Sequence, residues 1–403
     1  MNNPKLRFKA DDGSDFSAWK EKKICDVSVS VRVGSVGTCE PYYTDESGIR
    51  LYRTGNIGER GLSENDMKYV TTEFHEKNKK SQLCKWDILI ARHGESGRAV
   101  LFDKEQPANC LNIVIIRPDL VYNNPYFLCA CMNTPFVNKQ VWKAKAGSTQ
   151  SVINTGEVEN LKVFIPSLPE QKKIASFLST IDEIITTTQL ELTAWQERKK
   201  GVMQKIFNRE VRFKADDGSE FPEWEEKRLG EVFVERSERS TDNLDLLSVT
   251  IANGVIRQNE SDKKNVSSVD KSNYKRVYVG DLAYNSMRMW QGAEGVSAYD
   301  GIVSPAYTVL VPKKQEYIYF YEYMFKRTEM LHIFQRYSQG LTSDTWNLKY
   351  PVLAHISVVV PSFPEQKKIA DCLSSLDDVI NQIQAELSAW KEFKKGLLQQ
   401  MFV

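Results

Sequence analysis

Apolar residues recur at steps of four and three along two stretches of the chain. The first row is Ile174, Leu178, Ile181, Ile185, Leu192, Trp195, Val202 and Ile206. The second is Ile369, Leu373, Leu376, Ile380, Ile383, Leu387, Trp390, Leu397 and Met401. Sustained rows of this kind predict long helices of the coiled-coil type. Each runs about 39 residues, or roughly 58 Å at 1.5 Å per residue. Thr188 and Lys199 interrupt the first row, and Lys394 the second. Pro169 and Pro364 suit a first helical turn, with Glu170 and Glu365 beside the positive end of the helix dipole. Gly201 and Gly396 are consistent with close helix approach or with simple fraying. Two amphipathic helices lying separately on their own domains would show the same rows. The matching rings, Trp195 and Trp390 included, favour helices packed on each other. Long segments separate them, so an antiparallel pair with pseudo-twofold symmetry is the expected closure.

The blocks outside these rows have a different pattern. Short β-rich runs such as Trp86–Ala91, Asn112–Ile116 and Tyr307–Val311 are punctuated by Gly, Asn, Asp and Ser, as strands between turns are. Helical stretches are fewer, and 317–334 is the clearest. The expected fold is α+β: two mixed α/β domains and two long helices. The boundaries read as a lead-in segment at 1–23, a first domain at 24–165, a helix at 166–211, a second lead-in at 212–228, a second domain at 229–360 and a second helix at 361–403.

Parts of this frame occur twice. Arg7–Ile24 and Arg212–Leu229 are identical at 12 of 18 positions, and Pro166–Ala175 and Pro361–Ala370 at 9 of 10. The domain blocks between them do not repeat. A chain that keeps its frame and varies its contents is expected to do one job on two different targets. The lead-in segments, polar and glycine-containing, read as connectors.

Charge adds little. The chain of 403 residues has a formal net charge of +1. Residues 24–165 hold 17 Lys/Arg against 16 Asp/Glu, and residues 229–360 hold 15 against 15. Any nucleic-acid surface must therefore be a patch assembled by folding. No apolar run approaches the roughly 18 residues of a membrane span, and the N-terminus lacks a signal-peptide core. Seven scattered cysteines fit buried thiols in a reducing cytoplasm, the expected location. No Cys-x-x-Cys pair occurs and the histidines lie far apart, so no metal site is expected.

Catalytic motifs are missing as well. The chain has no Gly-x-x-x-x-Gly-Lys-Ser/Thr loop, dinucleotide fingerprint, Gly-x-Ser-x-Gly elbow or His-Glu-x-x-His. Asn123-Asn124-Pro125-Tyr126 is close to the loop with which amino-methyltransferases hold a flipped base, but the second proline is missing. No methyl-donor loop precedes it, so an ordinary turn is the better reading. What remains is suited to recognition. Arg92, His93, Ser96 and Arg98 share a loop after a strand-like run, and Arg288, Trp290 and Gln291 occupy the matching place in the second block. A second pair of polar glycine loops carries Lys143, Lys145, Ser148, Thr149 and Gln150, and Arg336, Tyr337, Thr342 and Ser343. Arg and Gln can read guanine and adenine edges in bidentate fashion, and Lys and Arg can hold phosphates. These are the candidate DNA-binding residues; a solvated surface turn is the plain alternative for any one of them.

On the doubled Pro-x-x-Pro-Glu-Gln-Lys-Lys-Ile helix start, the doubled lead-in ending near Trp19 and Trp224, and the stretch 147–154 (GSTQSVIN), the chain resembles the DNA-specificity subunit of a type I restriction–modification system. The resemblance spans nearly the whole chain; residues 340–347 match the 147–154 stretch only loosely. It implies two target-recognition domains, each reading one half of a split, asymmetric site in double-stranded DNA. It implies helices that space the domains and dock two methyltransferase subunits, with separate restriction subunits. S-adenosylmethionine, ATP and Mg would belong to those partners, leaving this chain without catalysis or cofactor. A two-headed coiled-coil scaffold that binds proteins and no nucleic acid is the rival reading.

Overall fold

Both long helices form as the apolar rows require. In a computed structural model they span Leu168–Phe207 and Phe363–Met401. The structure describes residues 4–402 except 59–60, 94–96, 147–151, 240–243, 262–266, 268–269 and 343–344. Of the seam residues, Ile174, Leu178, Ile181, Leu192, Ile369, Leu373, Ile383, Leu387 and Leu397 are buried. Ile185, Trp195, Val202, Leu376, Ile380 and Trp390 are half-buried. The chain divides into two units, Met1–Leu190 with Gln384–Val403, and Glu191–Ile383. Each long helix thus gives one half to each unit. In the first unit Ile174, Leu178 and Ile181 share a core with Leu397, Met401 and Phe402. In the second, Ile206 and Phe207 share one with Ile369, Ala370 and Leu373. In both, the start of one helix meets the end of the other, which makes the pair antiparallel.

Gly201 and Gly396 interrupt neither helix, and a Cβ built on either meets nothing within 4 Å. Close approach is therefore not their role. Gly201→Ala is expected to stabilise the chain by about 0.5–1 kcal/mol by removing the conformational entropy of glycine; a chemical denaturation midpoint that does not rise would contradict this.

Each unit builds the same scaffold from unlike sequence. The first has an antiparallel sheet in the order Ser28–Val33, Ile113–Pro118, Ile88–Ala91, Ala99–Leu101. The second repeats that order with Phe233–Glu235, Tyr307–Pro312, Leu282–Asn285, Glu294–Val296. Two helices follow each sheet: Pro125–Met132 and Pro135–Ala146 in the first, Ile318–Phe325 and Thr328–Tyr337 in the second. The single helix expected over 317–334 is thus broken at Arg327, whose backbone is extended. No Pro or Gly marks the break. Packing supplies it: the bend sets Phe325 edge-on to Phe334, with centroids 5.2 Å apart, and both rings are fully buried.

The two duplicated segments fold onto each other, so the lead-ins are clamps rather than connectors. Arg7 grips Glu170 through both carboxylate oxygens at 2.9 and 2.7 Å. Arg212 does the same to Glu365 at 3.1 and 2.9 Å. Both glutamate side chains are 0% exposed. These carboxylates raise the pKa of each arginine, chiefly through the hydrogen bonds. The next residue of the motif ties down the domain: Gln171 accepts from Asn124 N at 2.8 Å, and Gln366 from Tyr317 N at 2.8 Å. Two residues on, Lys173 pairs with Asp11 and Lys368 with Asp216, each at 2.6 Å. A short strand closes each clamp, Lys20–Lys23 on Lys162–Ile165 and Glu225–Arg228 on Ser357–Val360. Trp19 then meets Phe127 and Phe402, and Trp224 meets Phe320 and Phe207.

Candidate nucleic-acid interface

In each unit, described residues in or beside the two predicted loops meet. The first unit's leading loop leaves the strand Ile88–Ala91 and returns at Ala99. Arg92, half-buried, donates its Nε to the Ile153 carbonyl at 3.3 Å, just beyond the second predicted stretch. Gly97 sits at φ +97°, where a Cβ would meet Val141 Cγ1 at 2.5 Å, so this glycine lies directly on the helix Pro135–Ala146. Arg98 is half-buried and His93 exposed. Lys143 is exposed on the same helix, which also carries the backbone of Lys145. Ser96, Ser148, Thr149 and Gln150 lie outside the described residues.

The second unit's leading loop follows the strand Leu282–Asn285. Asn285 accepts from Met287 N at 3.0 Å, and Gly292 ends the turn at φ +83°. Met289 is buried in the core, which turns its neighbours Arg288, Trp290 and Gln291 to half-buried positions. Trp290 stands edge-on to Trp346 with centroids 5.2 Å apart, joining the two loops. Leu348 N donates to the Ser286 carbonyl at 2.8 Å, and Gln339 and Asn347 exchange two backbone bonds of 3.0 and 2.8 Å. Arg336 and Tyr337 are exposed at the end of the helix Thr328–Tyr337. Thr342 is exposed, and its N donates to Thr345 Oγ1 at 3.1 Å; Ser343 lies outside the described residues. The side chains of Arg288, Gln291, Arg336 and Lys143 make no hydrogen bond among the described residues, which leaves them available to a ligand.

Two aromatic residues complete the picture and were not singled out from sequence. Trp142, 69% exposed, lies beside Lys139 and Lys143 on one helical face. Its signal was present: it falls off the buried row Val137–Val141, at lysine spacings of three and one. Trp346 lies within the loosely matched 340–347 stretch, and only its contact with Trp290 distinguishes it. Asn124, by contrast, caps the helix Pro125–Met132 by accepting from Phe127 N at 3.0 Å, and Asn123 is buried. That turn is a helix start.

Glu294, at the end of the second unit's leading loop, is 0% exposed, and neither carboxylate oxygen has a hydrogen-bond partner among the described residues. Burial outweighs Lys326, 3.8 Å away, and pushes the carboxyl well above its ordinary pKa of 4.5. A raised folded pKa means stability is full below about 4.5 and is lost as pH climbs toward the folded value. Glu294→Gln, which removes the ionisation, is therefore expected to stabilise the second unit at pH 7.5 by about 1–3 kcal/mol, since each tenfold disfavouring of the ionised form costs about 1.4 kcal/mol. The advantage should shrink as pH falls. Urea melts at pH 5 and 7.5 check this, and parallel curves would count against an ionising Glu294.

Fold and site together define a duplicated recognition protein: one scaffold built twice, two unlike pairs of loops, one antiparallel helix pair. The family profile described as "Type I restriction modification DNA specificity domain" matches residues 18–194 and again 222–389. The chain belongs to that family. It is 28% identical over 224 residues to a putative type I restriction enzyme MjaX specificity subunit of Methanocaldococcus jannaschii, a stretch covering 53% of this chain and 52% of that one. It thus spans about half the length of that relative. It is 23% identical over 333 residues to the MjaVIII specificity subunit of the same organism, 77% of each chain. Among solved structures, a type I restriction–modification system S subunit from M. genitalium superposes with a TM-score of 0.62 at 17% identity, covering 100% of this chain and 99% of that one; that likeness is one of fold. No helix among the described residues is long and apolar enough to cross a membrane.

Proposed function

We propose that this chain is the DNA-specificity subunit of a type I restriction–modification complex and reads a split, asymmetric site in double-stranded DNA, one half-site per unit. The observation that carries this is the scaffold built twice, each copy placing polar segments rich in Arg and Lys at the same position, after its third sheet strand and at the end of its second helix. Unlike loops on like scaffolds call for unlike half-sites. Family membership favours this reading over the protein-binding scaffold.

The chain's part is recognition. Two methyltransferase subunits would supply S-adenosylmethionine and modify adenine, and restriction subunits would supply ATP- and Mg-dependent cleavage, all in the cytoplasm. Arg92, His93, Arg98, Lys143, Arg288, Gln291, Arg336 and Thr342 are the described residues proposed to face DNA. Trp290 braces its loop through Trp346.

Mapping methylated adenines in cells whose only such system is this chain and its methyltransferase tests the proposal. A split motif with one modified adenine in each half is expected; methylation unaltered by deleting this gene would remove it. Arg288→Ala should then cost tenfold to a hundredfold or so in modification, the worth of a bidentate base contact, with discrimination relaxed in one half-site alone. Equal relaxation of both halves would contradict the assignment of one half-site to each unit.

A further inference from the structure

The polar interruptions in the heptad rows have partners. In the first unit Asp182, on the first long helix, accepts from Lys394 of the second long helix and from the hydroxyl of Tyr126. Tyr126 belongs to the recognition-domain helix Pro125–Met132. In the second unit Asp377, on the second long helix, accepts from Lys199 of the first at 2.5 Å and from the Tyr323 hydroxyl at 2.7 Å. Tyr323 belongs to the equivalent helix Ile318–Phe325, and its ring also lies 5.0 Å from the Lys199 ammonium. These are the ion pairs between the long helices among the described residues. Each carboxylate therefore joins three elements: its own helix, the opposing helix and the recognition domain.

Apolar rows alone leave a helix pair free to slip by whole heptads, because Leu and Ile fit any equivalent hole. A charged pair at the seam removes that freedom, since slipped registers leave charges partly buried and unpaired. A slip of one heptad would set Lys199 against Ala370 or Gln384, and Lys394 against Ala175 or Gln189. Neither side chain can neutralise an ammonium. Burial and the aspartate together push both phenols well above their ordinary pKa, so each tyrosine stays a hydrogen-bond donor.

We propose that Asp182 and Asp377 are positioning residues for site recognition: each locks at one carboxylate the helix register and the seat of its recognition domain, and so confines the complex to one number of base pairs between half-sites. The inference rests on the specificity reading above and extends it from which bases are read to how far apart. It assigns the Tyr–Asp–Lys sets no contact with DNA.

The test uses the full chain with its methyltransferase and a library of DNA sites with both half-sites intact and the gap varied by one to about three base pairs either way. Wild type should modify one gap. The double variant Tyr126→Phe with Tyr323→Phe keeps both rings in place and removes only the hydroxyls. It should raise modification at the neighbouring gaps at least tenfold relative to the native gap, with half-site sequences unchanged. Asp182→Asn with Asp377→Asn, which removes both charges, should relax the gap further. Confinement to the native gap in the tyrosine variant, or an equal fall at every gap as from lost stability, would overturn the proposal. Wild type that modifies no split site would overturn the specificity reading itself, which separates the two failures.

Discussion

Arg7→Ala is expected to lower the stability of the first unit by about 3–5 kcal/mol, the cost of stranding one member of a buried ion pair. Glu170 is fully buried at the first turn of its helix, and Arg7 supplies both of its side-chain hydrogen bonds. The same arginine also holds the Ser17 carbonyl at 2.8 Å, so its loss frees the lead-in just before Trp19 packs. Arg212→Ala should do the same to the second unit, where Glu365 is equally buried. Arg7→Lys should recover only part, because one ammonium cannot reproduce a two-pronged grip. Hydrogen exchange resolved by segment checks this: protection should fall across residues 4–190 in one variant and 191–383 in the other. A loss under about 1 kcal/mol would mean that Glu170 is satisfied without Arg7, against the ordinary cost of an orphaned buried charge.

The second large effect concerns the helix pair. Seven residues inserted after Thr188, matched by seven after Leu387, keep the seam in phase because a heptad is two turns. They lengthen each helix by about 10 Å, which corresponds to at most about three base pairs at 3.4 Å each. The accepted gap between half-sites should widen within that limit while the half-site sequences stay the same. The insertion after Thr188 alone puts Asp182 and Lys394 out of register with Lys199 and Asp377, and modification should be lost. A matched insertion that remained active at the native gap would show that the helices do not set the distance.

Much of this frame was legible in the residues. The four-three rows run through both helices because a seam must face one way along its whole length, and no local choice competes with that. The doubled Pro-x-x-Pro-Glu-Gln segment marked both helix starts. Two features misled or stayed silent. The lead-ins are short of apolar residues and so read as connectors; their role depends on Arg7 and Arg212, each of which meets its glutamate from more than 150 residues away. The break at Arg327 has no proline or glycine, because the fit of Phe325 against Phe334 makes it.

The candidate site divides in the same way. Residue types pointed to Arg92, Lys143, Arg288 and Arg336, since guanidinium and ammonium groups on polar loops suit DNA wherever they occur. That Arg92 is tied to the Ile153 carbonyl, or that Trp290 finds Trp346, could not be read from spacing, because each contact joins residues more than 50 apart in the chain. Lys199 and Lys394 were visible only as faults in a pattern. The sequence by itself determined the two helices, their seam, the doubling and the absence of familiar catalytic motifs, all of which follow from local periodicity and repeated strings. The tertiary structure alone decided that the repeated strings clamp each other, that unlike blocks form one scaffold, and that the seam's faults are its ion pairs. Those are contacts between distant residues, fixed by burial and charge pairing, which no local window of sequence contains.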